Sequence, residues 1–176
     1  MKDILERAAQ IEMLIFDVDG VLTDGSLFFG DDGQEYKAFN SQDGHGMKML
    51  QKHGVKCAII TGRESRVVNH RIKNLGIDEQ YVYQGQHDKR QGFADLLAKT
   101  GLKQEQVGYV GDDVVDLPVM MQVGLAIAVN DAHPLVLKHA HWQTPRAGGH
   151  GAARDACEMI LEARGVLQQE LDSYLV

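Results

Sequence analysis

Apolar and polar positions fall along the chain in blocks that read as strands separated by helices. The run Ile11-Glu12-Met13-Leu14-Ile15-Phe16 is almost wholly apolar and stops abruptly at Asp17, the pattern of a strand buried on both faces. Residues 2–10 before it read as a short amphipathic helix. Two short stretches, Ser26-Leu27-Phe28-Phe29 and Gln34-Glu35-Tyr36-Lys37-Ala38-Phe39, flank the turn Gly30-Asp31-Asp32-Gly33 and predict a β-hairpin over about 25–40. Beyond it the period switches regularly. Helices are expected at about 43–53, 64–75, 89–100, 114–121, 132–138 and 151–164, and strands at 55–60, 81–84, 107–110 and 125–129. Gly54, Gly76 and Gly101 each follow a helical stretch, where a left-handed residue ends a helix. Strands joined by helices of this length make βαβ units. The expected fold is therefore α/β: a three-layer, Rossmann-like, mainly parallel sheet with helices on both faces and a small β-hairpin insertion.

Composition narrows the partners. With 176 residues and only 3 prolines there is no obvious linker, so residues 1–176 are expected to form one domain. Lys and Arg number 18 against 25 Asp and Glu, a formal charge of −7, which disfavours phosphate backbones and anionic headgroups. Neither nucleic acid nor membrane is expected as a partner. The longest apolar runs, residues 11–16 and 57–60, fall far short of the roughly 20 residues that span a bilayer. The segment Met1-Lys2-Asp3-Ile4-Leu5-Glu6-Arg7 has no apolar stretch of the kind that leads a secreted chain, and a cytoplasmic location is expected. Cys57 and Cys157 have no neighbouring Cys or clustered His and read as buried thiols.

The chemistry gathers where the strands end. In an open parallel sheet, ligands sit outside the carboxyl ends of the strands. The first strand closes on Asp17-Val18-Asp19-Gly20 and the second on Thr61-Gly62-Arg63. Lys89 opens the helix after the third, and strand 107–110 closes on Gly111-Asp112-Asp113, with Asp116 one turn later. Each piece alone is a common turn or helix start. Their placement at the ends of separate strands, in consistent chain order, points to one site. Carboxylates crowded in this way call for a hard divalent cation. Mg2+ fits, held by the carboxylates of Asp17 and Asp112 and the backbone carbonyl of Asp19. Thr61, Gly62 and Lys89 would then take the remaining oxygens of a phosphoryl group. One carboxylate would attack phosphorus, and the other would protonate the leaving oxygen and later activate water.

These residues, with the run Asp17-Val18-Asp19-Gly20-Val21-Leu22-Thr23 and the run Gly111-Asp112-Asp113-Val114-Val115-Asp116, resemble the four motifs of the haloacid dehalogenase superfamily of phosphohydrolases. The resemblance implies that Asp17 is the nucleophile and Asp19 the general acid/base. It further implies that Thr61 and Lys89 bind the phosphoryl group, that Asp112 ligates Mg2+, and that Asp113 and Asp116 support the site. Residues 21–54 and 64–88 are too short for the lid domain that most members insert. The hairpin and the run Phe39-Asn40-Ser41-Gln42-Asp43-Gly44-His45-Gly46 resemble the lidless 3-deoxy-D-manno-octulosonate 8-phosphate phosphatases, as does the glycine-rich Arg146-Ala147-Gly148-Gly149-His150-Gly151-Ala152-Ala153-Arg154. That resemblance implies a homotetramer in which a neighbouring subunit covers each site and the mobile segment 146–154 enters it. Asp43, Arg63, Arg146 and Arg154 become candidates for contact with a sugar acid phosphate in lipopolysaccharide biosynthesis.

Several readings stay open at this level. The hairpin either forms an assembly edge or folds back on its own domain, and segment 146–154 is either a substrate-facing tail or a linker with Arg154 solvated. Arg71 and Lys73 read by default as a solvated helix face. A phosphatase for another sugar acid phosphate, a non-catalytic oligomerisation module like those fused to sialic-acid synthetases, and a phosphomutase share the same residues. The phosphomutase is disfavoured because it needs a lid against water.

Overall fold

The computed structural model describes residues 2–175. Helix α1 (Lys2–Ala9) leads into β1 (Met13–Phe16), all four residues of which are buried. A two-stranded antiparallel ribbon follows, β2 (Phe28–Phe29) with β3 (Glu35–Tyr36), and then α2 (Ser41–Lys52). The chain continues through β4 (Lys56–Ile60), α3 (Arg66–Leu75), β5 (Val82–Tyr83), α4 (Lys89–Thr100) and β6 (Val107–Gly111). It ends with α5 (Leu117–Met120), β7 (Leu125–Ala128), α6 (Pro134–His139), β8 (Trp142–Gln143), α7 (Ala152–Ala163) and α8 (Leu167–Asp172).

Six strands form one sheet in the order β5-β4-β1-β6-β7-β8, every neighbouring pair parallel. Helices α1, α2, α3 and α7 pack against one another as one layer, and α4, α5 and α6 form the other. Both layers cover apolar strands, so β1, β6 and β7 carry no exposed residue, as continuous hydrophobic runs require. One contiguous core runs from Ala8 to Leu161. Each fully buried Leu, Ile or Val in it contributes about 1.5–3 kcal/mol of burial free energy.

The topology also sets the place of the site. From β1 the chain builds outward through β4 and β5, then crosses to β6 on the other side of β1. Such a reversal opens a crevice at the carboxyl ends. Register aligns Phe16 with both Ile59 and Val110, so the residues that follow these three strands leave the sheet at nearly one level.

The expected helix stops hold: Gly54, Gly76 and Gly101 all have positive φ. Several boundaries differ, two of them for reasons visible in the structure. Helix α3 begins at Arg66 after an extended Ser65, two residues later than the spacing predicts. Helix α5 is only four residues long, because Asp116 turns its carboxylate back onto the N–H groups of Asp112 and Asp113, and Pro118 lies in its first turn. Strand β8 and helix α8, absent from the sequence reading, both exist. The hairpin stands away from the core, with Leu27, Phe28, Phe29 and Tyr36 each 44–60% exposed.

Candidate active site

Four segments converge on a cleft of about 270 Å³ lined by Asp17, Asp19, Gly25, Thr61, Gly62, Arg63, Lys89, Asp112, Asp113 and Val115. A larger concavity of about 750 Å³ lies between the hairpin and the start of α3 and holds none of the strand-end carboxylates. The small cleft is the one that gathers the strand-end carboxylates with Thr61 and Lys89.

Asp17 leaves β1 with its backbone N–H donating to the carbonyl of Val110, and its Oδ1 accepts from the N–H of Val18 at 2.7 Å. The chain then turns at Gly20, φ +85°, where a Cβ would collide with the carboxylate of Asp112. Only glycine lets the two acidic loops approach this closely. Buried Thr23 closes the turn, its Oγ1 accepting from the N–H groups of Gly20 and Gly25.

Lys89, at the start of α4, reaches under the cleft and is 3% exposed. Its Nζ lies 2.9 Å from Asp17 Oδ2, donates to Asp116 Oδ1 at 2.6 Å, and approaches the Tyr109 hydroxyl at 3.2 Å. Burial opposes its charge, but Asp17 and Asp116 outweigh that, so its pKa moves up. Asp116 is wholly buried. Its Oδ1 also accepts from the Tyr109 hydroxyl at 2.7 Å, and its Oδ2 accepts from the N–H groups of Asp112 and Asp113 at 2.9 and 3.2 Å. Every Asp116 oxygen is thus engaged, and the residue shapes the loop that presents Asp112. Tyr109, which the sequence reading missed, faces this pair from inside β6.

Asp17, Asp112 and Asp116 bring one carboxylate oxygen each to within 4.8 Å of one another. Burial first, then repulsion from Asp116, pushes Asp17 up to about 6 despite Lys89. Burial, with Asp116, Asp17 and Asp113 adding repulsion, pushes Asp112 up to about 8. A cation beside them would offset this repulsion, above all at Asp112, which otherwise keeps its proton at neutral pH. An all-oxygen donor set at the mouth of an open cleft fits a hard divalent ion that also keeps water and a phosphate oxygen. With Asp116 engaged elsewhere, Asp17 and Asp112 would hold that ion, with the Asp19 carbonyl on the same loop. Asp113 is exposed and its Oδ1 accepts from the N–H of Val114.

Thr61 is 2% exposed, and its N–H extends the ladder by donating to the Tyr83 carbonyl at 2.9 Å. Because α3 starts only at Arg66, Thr61 and Gly62 offer a loop to an anion, without the helix N-terminus that the spacing suggests. Arg63, 43% exposed by its side chain, borders the same cleft.

Asp43, Arg146 and Arg154, expected as substrate contacts, do not line the cleft of their own chain. Asp43 on α2 is 2% exposed and accepts from the N–H groups of Gly151 and Arg154 at 3.3 and 2.8 Å, capping α7 from outside. Arg146 pairs with Asp155 through Nε and Nη2, and Arg154 Nε donates to Glu158 at 2.6 Å. The intervening glycines do approach the site. A Cβ on Gly148 would collide with the Gly20 carbonyl, so segment 146–151 buttresses the turn after Asp19 within its own chain. Arg71 is also not merely solvated: it donates to the Asn40 carbonyl at 3.0 Å and lies over the Phe39 ring.

The comparisons with known proteins agree with this geometry. The family model described as haloacid dehalogenase-like hydrolase matches residues 80–154. The 3-deoxy-D-manno-octulosonate 8-phosphate phosphatase of Yersinia pestis is 48% identical over 166 residues, covering 94% of this chain and 88% of its own length. The chain belongs to this family of haloacid dehalogenase-like phosphatases. The 1.95 Å crystal structure of the Yersinia phosphatase superposes with a TM-score of 0.92 over 94% of this chain and 89% of that one. A second family member, the phosphatase of Moraxella catarrhalis in complex with a magnesium ion, a phosphate ion and a KDO molecule, is 36% identical with a TM-score of 0.95 over 99% of both chains.

Proposed function

We infer that this chain is a Mg2+-dependent phosphomonoesterase that converts 3-deoxy-D-manno-octulosonate 8-phosphate to the free sugar acid and phosphate, supplying lipopolysaccharide biosynthesis. The observation that carries this is the convergence of Asp17, Asp112, Lys89 and Thr61 on one cleft, in a chain 48% identical to a phosphatase of that name. Bound Mg2+ supplies charge that lets two anions, Asp17 and the phosphate, meet. Asp17 attacks phosphorus in line with the leaving sugar oxygen, while Lys89 and Thr61 neutralise and hydrogen-bond the other oxygens. Asp19 protonates the leaving oxygen, then takes a proton from the water that hydrolyses the aspartyl-phosphate. Arg63, at the rim and partly free, suits the substrate's carboxylate.

Coverage of the site by a neighbouring subunit of a homotetramer belongs to the same reading. It is supported by the exposed apolar hairpin and by Val115, 54% exposed at the cleft rim. A cytoplasmic place is supported by the substrate itself, a doubly anionic sugar that does not cross a bilayer unaided, and no helix among the described residues is long and apolar enough to span one. The test is a panel of phosphorylated eight- and nine-carbon sugar acids compared by kcat/KM with Mg2+ and with chelator. The octulosonate ester should lead, and turnover should vanish on chelation. Preference for another ester would redirect the substrate, and silence on all with tetramers intact would leave an assembly module.

A further inference from the structure

The hairpin does more than present an apolar edge. Glu35 in β3 and Lys37, just past its end, turn their side chains to the same side, toward the loop that carries Asp19. Lys37 Nζ pairs with Asp19 Oδ1 and lies 3.3 Å from Glu35 Oε1. Arg63 completes the group, with Nη2 2.7 Å from Glu35 Oε1 and Nε 3.7 Å from Asp19 Oδ2. Two cations and two carboxylates thus join the hairpin to the loop that carries Asp19.

The two cations are held differently. The Lys37 side chain is 1% exposed, so its methylene stem is packed and its ammonium has one place to be. The Arg63 side chain is 43% exposed, its close partner is Glu35, and its contact with Asp19 is long, so it holds Asp19 only loosely. The constraint on Asp19 therefore falls on Lys37. With Oδ1 occupied, Oδ2 is the oxygen left to face the reacting phosphate ester.

We propose that Lys37 is a positioning residue that fixes the rotamer of Asp19 so that Oδ2 meets the leaving oxygen. The inference rests on the reading of Asp19 as proton donor. As the bond between Asp17 and phosphorus forms and the bond from phosphorus to the leaving oxygen breaks, the proton on Oδ2 passes to that oxygen. Lys37 neither gains nor loses a proton. Because Lys37 directly follows β3, any displacement of the hairpin would be felt at Asp19.

The experiment compares kcat/KM on two esters, since this ratio reads the steps through the first phosphoryl transfer. The octulosonate 8-phosphate expels an alkoxide that needs a proton, and p-nitrophenyl phosphate expels a phenolate that does not. Lys37→Met should lose on the order of 30-fold on the sugar ester and stay within about threefold on the nitrophenyl ester, with Lys37→Arg restoring most of the loss. Glu35→Gln should show a smaller loss of the same selectivity and carries the test if Lys37→Met fails to fold. Equal losses on both esters, or none on either, would overturn the role of Lys37. Asp19→Asn separates the two readings: if it shows the selectivity and Lys37→Met does not, only the positioning role fails, and if it does not show it, the acid assignment itself fails.

Discussion

Replacing Lys89 by Met tests whether the buried charges form one coupled unit. The ammonium is within 2.9 Å of Asp17 and donates to Asp116 at 2.6 Å, and all three residues are at least nine-tenths buried. Removing one partner of such a cluster costs about 3–5 kcal/mol when the stranded carboxylates stay ionised. The sign of the pH dependence follows from the protons. Lys89 has its pKa raised above the ordinary 10.5, so the stability it contributes is fully present below that value and is lost only as pH rises beyond it. Between pH 5 and 8 Lys89 does not titrate. Asp17 and Asp112, already raised, climb further once the lowering effect of Lys89 is gone. The folded variant then holds protons that the unfolded chain has released, and its stability falls as pH rises. In chelator, urea unfolding should show a deficit of about 1–2 kcal/mol at pH 5, mostly lost hydrogen bonds, widening to about 3–5 kcal/mol at pH 8. At the higher pH this corresponds to a fall in Tm of about 10 °C for a chain of this size. With Mg2+ present, kcat should fall by about a thousandfold. A deficit of the same size at both pH values would refute the coupled cluster.

Two further outcomes follow from the same geometry. In chelator the parent protein should itself lose stability from pH 5 to pH 8, because its native state keeps protons on Asp112, at about 8, and on Asp17, at about 6, that the unfolded chain gives up near 3.8. Mg2+ should therefore raise Tm more at pH 8 than at pH 5.5 in a thermal melt, and an equal rise at both would count against Asp17 and Asp112 as its ligands. Asp43→Ala removes the acceptor for two α7 N–H groups and should lower stability by about 1–2 kcal/mol with KM for the sugar phosphate unchanged; a raised KM in the folded variant would return Asp43 to the substrate.

The strand-end residues were legible because their signal is local. A continuous apolar run that stops at Asp17, Thr61 or Gly111 marks both a buried strand and the point where it leaves the sheet, and parallel register does the rest. Glycine stops were equally legible, since positive φ is a property of one residue. What stayed hidden depends on partners distant in sequence. Strand β8 offers only Trp142 as an apolar signal and exists because it pairs with Ile127 and Ala128. Helix α8 is mostly polar and is tied down by Glu170, whose carboxylate takes Lys52 at 2.7 Å and His53 at 2.9 Å. Lys37 could have been found from its alternation with Glu35, but nothing local says which face of a hairpin turns toward the site. The pairing of the arginines in the glycine-rich segment was equally hidden: Arg146 and Arg154 meet Asp155 and Glu158, one and two turns into α7.

The proposed reaction turns on Asp17 as the residue that receives phosphorus. Phosphate release from 3-deoxy-D-manno-octulosonate 8-phosphate by Asp17→Asn, folded and saturated with Mg2+, tests that claim directly. The amide keeps the shape of the side chain and its hydrogen bond from the Val18 N–H but is no nucleophile. Release at less than about one-thousandth of the parental rate, with the substrate still bound, is the predicted result. Release at the parental rate would contradict it.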